Sequence, residues 1–297
     1  MTTCWIYPAA MATVDLMSSA ERAEHRRRIK RCRGSACFTE LALVMGTRST
    51  NRLESLLYPE RVASSKEVPA LRTGICRQWR SGKVPSDDSI ARALRCSDGN
   101  ANLRYWRDLP LWELLREPSE LTTQQLHDIF VHLDLEVRQI LFVMTMPDIH
   151  GEFARIDLHD GDIASLRALG TLDALIALLA LARIAYFVRN DQHHAVLTSS
   201  AFAIFANVLA KCPQLEASAD DLFLCLAASF WSCCYLGGIR PYRGHELIQA
   251  HLGALRIDPR ASCDVGLGYL EVEKERSEVS RIANYFYSVL GSSVSGR

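Results

Sequence analysis

His150, Glu152, Asp157, His159, Asp160 and Asp162 crowd into positions 150–162. Imidazole nitrogens and carboxylates are the ligand types of a hydrolytic metal centre, where they must converge and leave one position open for water. His132, 27 residues before His159, and Asp191, 31 residues after Asp160, are candidate distant ligands. The same residues also read locally: Asp160-Gly161 spells a turn, and Asp162 is an N-cap for a helix opening at Ile163. His127 and His132 stand five apart and do not share a helix face. The local reading takes precedence, so no metal, cofactor or catalytic residue is expected. A second group, Gly237 to Glu246 (GGIRPYRGHE), sets Arg240, Arg243 and His245 before a helix start. Helix starts attract anions, but solvent-facing arginines in an interhelical loop explain it as simply. The third group is basic: Arg26, Arg27, Arg28, Lys30, Arg31 and Arg33 within His25–Arg33. Such a run binds backbone phosphate without reading sequence, or forms a solvated helix face that pairs with acidic residues elsewhere.

Ile75 to Leu94, ICRQWRSGKVPSDDSIARAL, continues the basic theme. In this stretch Trp79 and Arg80 precede Gly82 and Lys83, Pro85 and Ser86 form a loop, and Ile90, Ala91 and Leu94 open the next helix. This resembles the second half of a Cro-like, repressor-type helix-turn-helix over about 20 residues. The resemblance implies a recognition helix ending near Trp79, with Arg77, Gln78, Arg80 and Lys83 towards phosphates or base edges. Gly82 suits the left-handed residue that closes a helix. Upstream the chain departs from the family: SSKEVPALR places Pro69 where a helix should continue. The His159-Asp160 pair is similar to that of the HD phosphohydrolases, all-helical metal enzymes, but that family carries the pair inside a helix rather than in a turn. No G-x-S-x-G, P-loop or dinucleotide motif occurs.

The elements that must carry these groups read as helices. The charged run from Ala20 to Arg33 forms one, and Phe38 to Met45 a separate short apolar segment closed by Gly46. Leu53, Leu56 and Leu57 mark a short helix before Pro59, and residues 59–69 read as a loop. Ser86 caps a helix whose first turn holds Asp87 and Asp88, where the dipole favours negative charge. LRYWRDLPLWELL, with Trp106 and Trp112 about Pro110, reads as a strap laid on another domain. Thr122 and Gln125 spell a capping box ahead of Leu126, Ile129, Phe130 and Leu133, and Val137, Ile140, Leu141 and Met144 repeat the spacing. Thr171 caps a helix to about Asn190; further helices cover His193–Lys211, a stretch from Ser218 to Gly237, Gly244–Arg256 and a last one around Val279–Val289. Those at 172–189, 194–211 and 220–236 are apolar on most sides and form the centre of a bundle. Period-two alternation is confined to Phe153–Leu158.

The expected class is therefore all-α, with a basic helical region over 1–117 and an acidic helical bundle over 118–297 divided at Glu117-Pro118-Ser119. The 297 residues are 48% hydrophobic and 23% charged, which excludes wholesale disorder. The formal net charge is zero, but residues 1–116 hold 20 Lys and Arg against 12 Asp and Glu, and residues 117–297 hold 14 against 22. That asymmetry marks a nucleic-acid-facing half or two halves that attract each other. The apolar stretch from Ala174 to Val188 is broken by Arg183 and too short to span a bilayer. Ten cysteines lack regular spacing, Cys225, Cys233 and Cys234 sit in an apolar helical pattern, and no signal peptide precedes them, so reduced thiols in the cytoplasm are expected. The leading expectation is a non-enzymatic regulatory protein that binds DNA or RNA through Arg26, Arg27, Arg28, Lys30, Arg77, Gln78, Arg80 and Lys83. The alternative is an interaction or scaffold protein, of the kind stress or defence systems use, whose basic half docks on its acidic half or which binds a protein partner or a second copy. An HD-like phosphohydrolase using His159 and Asp160 is the third reading. No membrane partner is expected.

Overall fold

A computed structural model describes residues 17–59, 74–117, 121–142, 158–230 and 253. Its described regular elements are all helices: α1 Ser19–Val44, α2 Thr50–Leu57, α3 Ile75–Arg80, α4 Asp87–Cys96, α5 Leu103–Arg107, α6 Leu111–Leu114, α7 Thr123–Val131, α8 Leu135–Leu141, α9 Asp160–Leu169, α10 Leu172–Phe187, α11 Asp191–Lys211, α12 Pro213–Glu216 and α13 Ala219–Ser229. The all-α class holds. Pro69, the 237–246 group, Cys233, Cys234 and the alternation at 153–158 lie largely outside the described residues, as do His150, Glu152 and Asp157.

The chain forms two compact units. The first joins Met17–Leu115 to Cys212–Cys225, so the acidic segment with Glu216, Asp220 and Asp221 belongs with the basic region. Its centre is α1. Rather than two segments, residues 19–44 make one continuous helix through Gly34. Interior glycine costs a helix about 1 kcal/mol, but Gly34 to Ala42 are buried without interruption, and that packing keeps the helix intact. Ser18 and Glu21 start it with a capping box, the Ser18 amide donating to Glu21 Oε2 at 2.8 Å and the Glu21 amide to Ser18 Oγ at 3.3 Å. The aromatic strap does not lie on another domain. It folds into α5 and α6, and α5 packs along α1 with Leu103, Trp106 and Trp112 buried. Trp112 Nε1 donates to the Trp106 carbonyl at 2.7 Å, which satisfies the indole inside the core.

The second unit holds Arg116–Lys211 and resumes at Leu226. The Thr122–Gln125 box and the Thr171 cap are present as anticipated. Almost every residue of α10 from Leu172 to Ala185 is buried, and α11 lies against it through Leu197, Ala201, Ile204, Phe205 and Val208. The interruption in that apolar run, Arg183, is 2% exposed. Its guanidinium donates to the Arg116 carbonyl at 3.0 Å and lies 4.3 Å above the Phe230 ring. His194 of α11 is buried beside it and beside Tyr186. Burial first, and the Arg183 charge second, push the His194 imidazole down to about 4. The unfolded chain takes up that proton near pH 6.5 and the folded chain only near 4. His194 therefore contributes its full stability above about pH 6.5 and loses it as pH falls towards 4, by on the order of 3 kcal/mol. Urea midpoints followed over that window should drop on the acid side, and His194→Gln should flatten the drop. Among the described residues no helix is long and apolar enough to cross a membrane.

Candidate nucleic-acid interface

The Trp79 corner is built from the C-terminal end of α3. Trp79 is 1% exposed, whereas Arg77 and Arg80, flanking it at the positions that leave the core, are exposed. Helical spacing enforces that separation, since residues two before and one after Trp79 cannot share its face. The helix then stops in a Schellman turn: the Gly82 amide donates to the Trp79 carbonyl at 2.9 Å and the Lys83 amide to the Gln78 carbonyl at 2.8 Å. Gly82 takes φ +109° there, a conformation open to glycine and strained for other residues. Lys83 Nζ donates to Gln78 Oε1 at 3.0 Å, folding both side chains over the turn. Ser86 caps α4, with its Oγ accepting from the Ser89 amide.

Glycine also permits the corner's tightest contact. A Cβ on Gly34 would lie 2.6 Å from the Trp79 carbonyl oxygen and 2.9 Å from Gly82 Cα. One on Gly82 would lie 2.7 Å from Arg31 Cα. The α1 backbone and the α3 turn therefore touch directly, which brings the two basic stretches, far apart in sequence, into one corner. Sequence reasoning did not single out Gly34. The signal was there, a glycine in the middle of an otherwise strong helix former, but only the partner backbone explains it.

The basic residues of α1 divide. Arg31 is clamped by Asp221, Nε to Oδ2 and Nη2 to Oδ1 both at 2.9 Å, and also reaches Glu24 at 3.1 Å. Arg28 stands 3.5 Å from Glu24 and 3.8 Å from Asp221. Arg33 donates to the Arg107 carbonyl and to Asp108, while Arg107 bridges Asp108 and Asp87. The Arg107 guanidinium holds the Asp108 carboxyl below its ordinary value. Arg27 contacts Glu24 at 3.0 Å yet keeps 67% of its side chain exposed. Arg26 and Lys30 are exposed. Among the described residues, Lys30, Arg77, Arg80 and Lys83 have no carboxylate partner. The segments 17–115 and 212–225 together hold nineteen Lys and Arg against fourteen Asp and Glu, so an excess of positive charge remains after the internal pairs.

At the other candidate, the structure corrects the local reading. The helix opens at Asp160 rather than Ile163, so Asp162 is its third residue and not the N-cap. His159 occupies the cap position, and its amide donates to Asp162 Oδ2 at 3.1 Å. Two acidic residues in the first turn suit the helix dipole, which favours the earlier start. His159 and Asp160 are exposed, and no group of three His, Cys, Asp or Glu side chains able to hold a metal forms among the described residues. Cys32, Cys37, Cys76, Cys96, Cys212 and Cys225 are free thiols. Burial pushes Cys37 and Cys76 up to about 12, which makes them poor nucleophiles. Compared with protein-family models, with curated proteins and with solved structures, the chain matches none.

Proposed function

We propose that this chain is a non-enzymatic, cytoplasmic regulatory protein that binds nucleic acid through the corner around Trp79. The observation that carries the reading is the sorting of side chains on α3: the indole is buried and anchors the corner, while Arg77 and Arg80 stand exposed without a carboxylate partner among the described residues. The packed backbone fixes where these arginines leave the surface, and their guanidinium groups donate charge-assisted hydrogen bonds to phosphate oxygens. The test is a salt titration of nucleic-acid binding by the wild type beside the double reversal Arg77→Glu/Arg80→Glu. Wild type should bind at about 50 mM salt and weaken steeply as salt rises, because phosphate contacts release counterions. The reversal should weaken binding by roughly a hundredfold while changing stability by no more than about 0.5 kcal/mol, as exposed substitutions do. A wild type that binds neither DNA nor RNA at that salt defeats the proposal.

One observation favours a second reading. Arg28 and Arg31 are already answered by Glu24 and Asp221, so part of the basic character serves internal docking. On this reading the chain is an interaction or scaffold protein for a protein partner or a second copy, and the failed titration above would put it first.

A further inference from the structure

Resting on the nucleic-acid reading, we infer that the contact surface is a strip on two helices, Arg27 and Lys30 of α1 continued by Arg80, Lys83 and Arg77 of α3, and that its partner is the phosphate backbone of a duplex. The join is the contact between Gly34 and the Trp79–Gly82 turn, where an added Cβ on either glycine would meet backbone atoms within 3 Å. Arg27, Lys30, Arg31 and Gly34 follow the i, i+3, i+4, i+7 spacing of one helix face, so the first two lie along the face that Gly34 presses against the turn. Arg31, between Lys30 and Gly34 on that face, is withdrawn by Asp221. That leaves Lys30 exposed on α1 and Arg80 and Lys83 exposed on the turn, with Arg77 one turn back along α3.

The chemistry of the strip selects among nucleic-acid targets. Reading adenine needs a planar donor–acceptor pair such as the Gln side chain, but Gln78 Oε1 already accepts from Lys83 Nζ. Arg and Lys can also donate to guanine, so the duplexes of other sequence in the test below check for that contact. Binding a single strand needs aromatic faces for stacking, and the corner's own indole, Trp79, is buried. What the surface presents is cation ends on a fixed backbone. These match phosphodiester oxygens in any sequence and position the protein without reading it. The five cations are set on two rigid elements, which suits the regular charge array of a duplex better than a flexible strand.

Binding of the full chain to a labelled mixed-sequence duplex of about 20 base pairs, two helical turns, tests this. The single strand of equal length and duplexes of other sequence serve as further arms, each titrated with salt. Arg27→Gln/Lys30→Gln should weaken duplex binding at least about tenfold near 50 mM salt and reduce the magnitude of the log–log salt slope by about 1.8, from two lost contacts at roughly 0.9 each. The loss should be equal for all duplex sequences. Arg95→Gln/Arg104→Gln, which removes two exposed arginines outside the strip, should leave the slope unchanged. Lys30→Gln alone, at an exposed site, should reduce the slope by about half as much and keeps the test open if the double variant melts early. If Arg77→Glu/Arg80→Glu abolishes binding but Arg27→Gln/Lys30→Gln leaves affinity and slope intact, the strip is wrong and the single-helix reading survives. Strong preference for one duplex sequence, or tighter binding of the single strand, overturns the backbone-duplex assignment. A wild type that binds none of these probes removes the parent reading as well.

Discussion

Trp79→Ala should destabilise the unit built on α1 by about 3–5 kcal/mol, the range for deleting a fully buried large aromatic side chain. Trp79 is among the largest side chains with almost no exposure. Its loss leaves a cavity that the corner cannot close cheaply, because the backbone behind it is pinned: the Trp79 carbonyl accepts from Gly82 and abuts Gly34. Denaturant unfolding of the full chain should show the transition of this unit at a much lower midpoint. Trp79→Phe should recover part of the loss by refilling some of the volume. The comparison with Arg77→Glu/Arg80→Glu is the informative one. Arg77 and Arg80 sit two residues before and one after Trp79, yet Trp79→Ala should remove stability and the double reversal only binding. Equal stability loss in both would mean that the arginines are structural and would end the interface proposal.

Glu40→Ala should cost a similar amount, about 3–5 kcal/mol, for a different reason. Glu40 is a buried carboxylate of α1 held entirely by N–H donors. Its Oε1 accepts from the Asn102 amide at 2.9 Å, and its Oε2 accepts from Trp106 Nε1 at 3.2 Å and Gln214 Nε2 at 2.8 Å. Hydrogen bonds to a charged acceptor contribute roughly 1.5–3 kcal/mol each, and donors left buried without an acceptor add their own desolvation cost. The carboxylate thus ties α1 to the start of α5, to the indole of Trp106 and to α12, which arrives from more than a hundred residues away. Glu40→Gln should be nearly as disruptive. Whichever way its amide turns, the NH2 group faces at least one donor. Calorimetry or urea unfolding of both variants checks this, and a near-neutral Glu40→Gln would show that the site does not need two acceptor oxygens.

The helical class, the Thr122–Gln125 capping box, the Ser86 and Thr171 caps and the burial of α10 were legible because they depend on neighbours three or four residues apart. Thr122 with Gln125, Ser86 with Asp87 and Asp88, and Thr171 ahead of an apolar run each carry their instruction locally. Local reasoning failed where a local rule was outweighed. The charge-dense run to Arg33 and the apolar segment from Phe38 read as separate pieces, and Gly34 between them carries a helix cost. Tertiary burial of residues 34–42 exceeds that cost. Asp162 has the residue type of a good cap, but His159 holds the cap position and Asp162 accepts from its amide. The strap with Trp106 and Trp112 was recognised as something packed; its spelling does not say that the surface it packs on is the earlier helix α1.

At the candidate interface, residue types and helical spacing determined that Trp79 faces in and that Arg77 and Arg80 face out, and they supplied more positive charge than the N-terminal segment can neutralise itself. Which cations remain for a partner was decided only by the tertiary structure. Asp221, nearly two hundred residues away, returns to clamp Arg31, whereas Lys30, one residue earlier, stays exposed. The pairing depends on a contact between α1 and the 212–225 segment that no periodicity encodes. The backbone touch of Gly34 with the Gly82 turn is of the same kind. A helix face is set by the angle between successive residues, so sequence specifies it; the partner laid against that face is set by chain topology and close packing, so only the folded molecule specifies it.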